Sequence, residues 1–199
     1  MTPKTLILAL ALAWATPLLA ADQPVIGSAG PWPADFIKGA DISSLAELEK
    51  QGAKFYNADN QQQDAIAILK ASGINTIRLR LWVDPRDGSG QTYGGGGNDL
   101  TTTLALAKRV KAAGLKLLLD IHYSDFWTDP GKQFKPKAWQ SLPFPQLETQ
   151  VHDYTRDTIA RFKADGVMPD IVQIGNELNG GMLWPEGKSW GQNGGEFDR

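Results

Sequence analysis

Lys70-Ala71-Ser72-Gly73-Ile74, Lys111-Ala112-Ala113-Gly114-Leu115 and Lys163-Ala164-Asp165-Gly166-Val167 are three copies of one pattern. In each, a cation stands in the last turn of a helix, a glycine can take the left-handed conformation that closes it, and an apolar residue follows. A helical segment precedes each copy and an apolar run follows it: Ile74 to Val83, Leu115 to Ile121, and Ile171 to Ile174. The repeated unit is helix, glycine, strand, and strands that alternate with helices predict a parallel sheet. The helix-to-strand turns stay short while the interval between copies widens, so the variation lies in the strand-to-helix loops. That asymmetry predicts an α/β fold of the (β/α)8 TIM barrel type, where the loops at the C-terminal ends of the strands carry function.

The flanking segments fit this unit. Phe36 to Ser43 reads as a short strand, and Ser44 with Glu47 three residues on forms a capping-box pattern for a helix over Leu45 to Lys50 that Gly52 ends. Asp64 opens a helix to Ala71 that carries Ile66, Ile68 and Leu69. Asp99 caps one whose stripe is Leu100, Leu104, Ala107 and Val110, and Gln146 to Lys163 presents Val151, Tyr154, Ile159 and Phe162. Four strands are counted against the eight that close a barrel, so residues 36–199 are expected to be the N-terminal part of a catalytic barrel, about its first four βα units, and inactive on their own. The loops Asp84 to Asn98 and Tyr123 to Pro145 are long and aromatic, as the walls of a cleft would be. Gly94 to Gly97 lacks the Gly-Lys-Ser/Thr of a phosphate cradle and reads as a flexible stretch.

Residues 1–21 read as a secretory signal, with Lys4 as its basic start, Leu6 to Trp14 as an apolar stretch too short to span a bilayer, and Ala20-Ala21 at its end. Residues 22–35, rich in Pro, Gly and Ala, read as a lead-in. The expected location is therefore secreted, extracellular or periplasmic, with no membrane partner once the signal is removed. A net charge of −2 gives no basic face for a nucleic acid, and the absence of cysteine excludes a disulfide scaffold or a thiolate site.

The chemistry points to Asp170 through Asn179, where an apolar run delivers Asn176-Glu177 into a loop. A period of two residues puts Gln173, Gly175 and Glu177 on one face, with Val172 and Ile174 on the other. Glycoside hydrolysis uses two carboxyl groups, one of them to protonate the leaving oxygen, and Glu177 is the candidate for that one. On the second strand Arg78, Arg80 and Trp82 share a face opposite Ile77, Leu79 and Leu81. A buried Arg needs an anionic partner, so both arginines serve either structural ion pairs or direct substrate contact. On the third strand Asp120 and His122 share a face, with Tyr123 to Trp127 following. His122 is a hydrogen-bonded network or substrate histidine, and a metal ligand is the weaker alternative, since the chain has two histidines and no His-Glu-x-x-His pattern. Trp82, Trp127, Trp139, Trp184 and Trp190 lie at or beyond strand ends, and flat indole faces around a carboxylate suit a polysaccharide, although some of the five serve as loop anchors.

With these residues placed, the sequence resembles glycoside hydrolase family 53, the endo-β-1,4-galactanases. The resemblance runs through Gly39-Ala40-Asp41-Ile42-Ser43-Ser44, Gly73-Ile74-Asn75-Thr76-Ile77-Arg78, Ala107 to Gly114, Asp120-Ile121-His122-Tyr123-Ser124-Asp125 with Trp127, and Ile174-Gly175-Asn176-Glu177 with Leu183-Trp184-Pro185. It implies a retaining endo-hydrolase on a (β/α)8 barrel, acting on β-1,4-galactan and the arabinogalactan side chains of pectin. It implies Glu177 as acid/base, Asn176 on the sugar 2-hydroxyl, Arg78 beneath the nucleophile, and His122 and Asp41 lining the same subsite. The family's nucleophile is a second Glu on a late strand, expected beyond Arg199, as is the calcium site of some members; no other cofactor is expected. Two alternatives stay open: a related barrel endo-glycosidase on another β-linked polysaccharide, and a carbohydrate-binding protein without activity.

Overall fold

The computed structural model describes residues 32–33 and 35–189. The expected signal, most of the lead-in and Trp190 lie outside the described residues. The chain divides into Met1–Phe36 and Ile37–Arg199. In the second unit the elements run β1 (Gly39–Asp41), α1 (Leu45–Lys50), β2 (Phe55–Tyr56), β3 (Gln62–Gln63), α2 (Ala65–Ala71), β4 (Thr76–Leu81), α3 (Leu100–Ala112), β5 (Lys116–Ile121), α4 (Phe144–Ala164) and β6 (Ile171–Ile174).

Strands β1, β4, β5 and β6 form one parallel sheet in that order, and a helix precedes each return to it. This is the predicted βα alternation. The three repeat glycines end their helices with positive φ, at 90° for Gly73 and 73° for both Gly114 and Gly166. Two of the repeat lysines bind the next unit. Lys70 Nζ donates to the Ala113 carbonyl at 2.5 Å, and Lys111 Nζ donates to Asp170 at 2.6 Å. The Asp170 carboxylate also accepts from the Leu117 amide at 2.7 Å, so the N-terminal ends of the strands are cross-tied.

Ile77, Leu79 and Leu81 of β4 and Leu117, Leu119 and Ile121 of β5 are fully buried and join Leu104, Ala107, Val110 and Phe162 of the helices in one core. Each such side chain contributes about 2 kcal/mol on leaving water. Strand alternation then turns Arg78, Arg80 and Asp120 to the opposite face, so the helix-facing core positions the polar one.

Asp64 and Asp99 cap α2 and α3 as expected, accepting from the Ala67 and Thr102 amides. Two expectations are corrected, and one element is new. Ser44 does not cap α1: its backbone is already helical, its hydroxyl donates to the Gly95 carbonyl at 3.2 Å, and Glu47 accepts from Gln51 instead. The Gly94 to Gly97 run is packed in its second half, while Gly94 and Gly95 are exposed. Gly96 and Gly97 are buried, and a Cβ on Gly96 would lie 2.7 Å from the Ser43 carbonyl and from Asn98 Oδ1. The β2–β3 hairpin was not expected, because two-residue strands are too short to show alternation.

Candidate active site

Arg78 organises the polar face. From β4 its Nη1 donates to Asp41 Oδ2 on β1 at 2.5 Å, and its Nη2 donates to Asp120 Oδ2 on β5 at 2.5 Å and to Asn176 Oδ1 at 2.9 Å. Its Nε donates to Gln173 Oε1 on β6 at 3.3 Å. A planar guanidinium with five donors can hold four partners in different directions, which an ammonium cannot. Arg80, two residues on, lies with Nε 3.6 Å from Asp41 Oδ1. The anionic partners that two inward arginines required are therefore Asp41 and Asp120, and both arginines are ion-pair members.

Asp41 is held by its own turn as well. Its Oδ1 accepts from the Ser43 amide at 2.9 Å and the Ser43 hydroxyl at 2.6 Å, and that hydroxyl accepts from the Arg80 amide at 2.8 Å. Burial pushes the Asp41 carboxyl up, but the Ser43 hydrogen bonds and the adjacent Arg80 and Arg78 outweigh it and hold the group below the ordinary aspartate range.

His122 follows β5 and is buried. Its Nδ1 accepts from the Thr128 amide at 3.2 Å, which assigns the proton to Nε2, and Nε2 lies 2.8 Å from Asp120 Oδ2. His122 is thus a member of the Arg78 network, one step behind it. Among the described residues no group of three or more His, Asp or Glu side chains converges as a metal cage would.

The Asn176-Glu177 turn departs from the expected alternation. Strand β6 ends at Ile174, Gly175 has φ of 81°, and Glu177 is left-handed with φ 54° and ψ 50°. A turn, not a pleat, sets where Glu177 points. Left-handed backbone costs a non-glycine residue about 1 kcal/mol, and the surroundings supply it. The Gly175 amide donates to the Ile121 carbonyl at 2.8 Å, and Asn176 Nδ2 donates to the Thr128 carbonyl at 2.8 Å. Gln133 Nε2 donates to the Asn176 carbonyl at 2.8 Å and to the Glu177 carbonyl at 3.2 Å. Asn176 is buried and fully engaged on its Oδ1 side, whereas Glu177 is exposed.

The tryptophans divide. Trp127 is 41% exposed and lies over the Arg80 guanidinium at 4.0 Å, so one indole face is backed by a cation and part of the ring is open. Trp184 is half-buried; its Nε1 donates to the Gly180 carbonyl at 2.9 Å, and its ring packs over Gly180 where a Cβ would come within 2.9 Å. Trp82 is fully buried, flanked by Phe126, His122 and Arg80, so it supports the cleft and offers no face to a ligand. Trp139 belongs to the core against Tyr154. An indole at a strand end has the same local sequence signal whether it points outward or into a neighbouring helix.

The structure therefore brings Asp41, Arg78, Arg80, Asp120, His122 and Asn176 into one connected network at the C-terminal ends of the strands, with Glu177 and Trp127 beside it. Sequence reasoning missed Ser43, Thr128 and Gln133. The first was signalled by Asp41-Ile42-Ser43, an Asx-turn pattern, and the other two flank Asp129-Pro130-Gly131, a turn signal that folds the loop back on Asn176.

Comparison with known proteins places this arrangement. The family model "Glycosyl hydrolase family 53" matches residues 37–197. An "Endo-beta-1,4-galactanase" of Bacillus subtilis (strain 168) is 46% identical over 148 residues, 74% of this chain and 34% of that protein. An "Arabinogalactan endo-beta-1,4-galactanase A" of Aspergillus niger is 42% identical over 173 residues, 87% of this chain and 46% of its own. The solved "Ignisphaera aggregans GH53 catalytic domain" superposes with a TM-score of 0.77 at 44% identity, covering 83% of this chain and 45% of that one. The chain spans about a third to just under half the length of these relatives, and its fold is that of the corresponding part of their (β/α)8 barrel.

Proposed function

Because the chain belongs to glycosyl hydrolase family 53, we propose that the protein is an endo-acting retaining hydrolase of β-1,4-galactan, including galactan and arabinogalactan side chains of pectin, with Glu177 as its general acid/base. The observation that carries this is Glu177 itself: an exposed carboxyl, held in a left-handed turn at the C-terminal end of a parallel strand, beside an Asn176 locked to Arg78. Strand ends of this kind are where barrel enzymes keep their chemistry. The relatives' names supply the substrate class.

In the proposed reaction Glu177 gives its proton to the leaving glycosidic oxygen, then takes one from the water that releases the sugar. Asn176 keeps one amide hydrogen for the sugar 2-hydroxyl, since Nδ2 gives only its other one to the Thr128 carbonyl. Arg78, fixed by Asp41 and Asp120, presents positive charge below the cleaved subsite and favours the ionised form of an incoming carboxylate. Retention requires that nucleophilic carboxylate about 5 to 5.5 Å from Glu177, and the proposal assigns it to the part of the relatives' length that this chain does not span. Trp127, backed by Arg80, and Trp184 would stack on sugar rings. Residues 1–21 are proposed to direct export, which N-terminal sequencing of the exported protein tests.

The test is Glu177→Gln in the full-length protein. Turnover of unactivated galactan is expected to fall by roughly 10² to 10⁴-fold, the usual worth of a general acid, and near-normal turnover overturns the reading. A panel of other β-linked polysaccharides, with binding measured alongside sugar release, separates galactanase from a related endo-glycosidase and from an inactive binding protein.

A further inference from the structure

We infer that Gln133 is a positioning residue for Glu177, acting through the backbone of the turn that presents it; the inference rests on Glu177 being the acid/base. Gln133 is 1% exposed and lies just after the Asp129 to Lys132 turn, far from Glu177 in sequence. Its side-chain amide nitrogen meets three carbonyl oxygens: Asn176 at 2.8 Å, Glu177 at 3.2 Å and Asp129 at 3.2 Å. A group with more than one donor is needed to serve that convergence, and an amide supplies two without bringing a charge into a buried place.

The backbone of Gln133 closes the other side of the same turn. Its carbonyl accepts from the Trp184 amide at 2.7 Å, and the Trp184 indole donates back to Gly180, three residues beyond Glu177. The segment from Asn176 to Trp184 is therefore gripped at both ends by one residue of the neighbouring loop. The Gln133 Oε1 is buried without a partner among the described residues. An unpaired buried acceptor is unfavourable, so the nitrogen end is what this position gains from the amide. None of these bonds reaches the Glu177 carboxyl or the sugar, so the role is to fix the direction in which a left-handed residue points.

A misdirected acid/base harms both protonation of the leaving oxygen and, in the second step, deprotonation of water, but kcat/KM reports only the first of these. Leaving groups that depart without protonation, such as dinitrophenolate, bypass it. The test uses the full-length protein with Gln133→Met, which keeps the length and removes both donors, and Gln133→Glu, which keeps the size and offers at most one. Each is assayed on unactivated β-1,4-galactan and on a dinitrophenyl β-1,4-galactobioside, with Glu177→Ala as the reference. For Gln133→Met, kcat/KM on galactan is expected to fall roughly 10- to 100-fold, the scale of a displaced catalytic group, while kcat/KM for the aryl glycoside, whose first step needs no proton, falls less than about threefold. Gln133→Glu, whose carboxyl donates only when protonated and otherwise sets negative charge against three carbonyl oxygens, is expected to show the same pattern with a loss at least as large, and it decides the matter if Gln133→Met does not fold. Equal losses of kcat/KM on both substrates, or none on galactan, overturn the inference. If Glu177→Ala itself shows no dependence on the leaving group, the acid/base assignment fails, and the inference fails with it.

Discussion

Arg78 and Asp41 are register partners on adjacent parallel strands and also an ion pair, with Nη1 2.5 Å from Oδ2. The same guanidinium reaches Asp120, Gln173 and Asn176, so one side chain joins β1, β4, β5, β6 and the turn that follows. Removing it takes the cation from Asp120, which is 0% exposed and keeps only His122 Nε2, 2.8 Å away, beside its carboxylate. Arg78→Met is expected to lower stability by about 3 kcal/mol, the cost of leaving a buried charge without its partner. Urea unfolding measures this, and a loss below about 1 kcal/mol would mean that the carboxylates find other donors. Arg78→Lys keeps the charge but cannot serve four directions from one ammonium, so most of the loss is expected to remain.

Asp41 gives the site an acid sensitivity whose sign follows from its depressed pKa. Desolvation raises that pKa, and the Ser43 hydrogen bonds with Arg80 and Arg78 lower it by more. A folded-state pKa below the unfolded one contributes stability that is fully present above the ordinary aspartate value of 3.8 and is lost as pH falls through the lower folded value. Stability is expected to drop on acidification in that window, and the drop is expected to be smaller in Asp41→Asn, which is already weaker at neutral pH. Urea midpoints of the two proteins measured between about pH 6 and pH 2 test this. Parallel curves would show that Asp41 titrates alike in the folded and unfolded chains.

The network shows which parts of the site a sequence can announce. Arg78, Arg80, Asp120 and His122 were legible because period-two alternation holds inside β4 and β5, where register with neighbours is fixed. The repeat glycines were legible because a left-handed helix end leaves a local signature. Glu177 was identified by type and neighbourhood, but its placement was not, since Gly175 breaks the pleat two residues earlier. The turn beside Thr128 and Gln133 was legible, but what they meet, like the burial of Trp82 and Trp139, depends on contacts between distant loops that no local pattern encodes. Ser44 and the Gly94 to Gly97 run went astray for the same reason: they pack on each other, through Ser44 to the Gly95 carbonyl and Gly96 against Ser43.

Among the described tryptophans at the strand ends Trp127 is the most exposed, and Arg80 lies against its ring. If the ring is a stacking platform, Trp127→Ala raises KM for galactan by about tenfold, equivalent to about 1.4 kcal/mol, with kcat reduced far less. Trp127→Phe keeps a smaller platform and is expected to fall between. Steady-state kinetics on galactan oligomers of increasing length check this, and an unchanged KM at every length removes Trp127 from the binding surface. Trp82→Phe, by contrast, is expected to act on stability, because Trp82 is buried beneath the same loops.

Gly175 offers the most direct test of how the turn presents Glu177. Its φ of 81° disfavours any side chain, and a Cβ would come 2.7 Å from both Leu178 Cδ atoms. Gly175→Ala is expected to destabilise by about 1 to 2 kcal/mol from the left-handed backbone alone. The Leu178 contact adds to this and displaces the turn, so galactan turnover is expected to fall by more than the loss of folded protein explains. Gly175→Ala with Leu178→Ala relieves the contact but not the backbone preference, although it also removes a half-buried leucine. Turnover per folded molecule should therefore recover in the double variant while its melting temperature stays low. Turnover that stays low after the contact is gone would place the effect in the backbone angles of residue 175, and turnover unaffected in either variant would mean that Glu177 reaches its position without help from this turn.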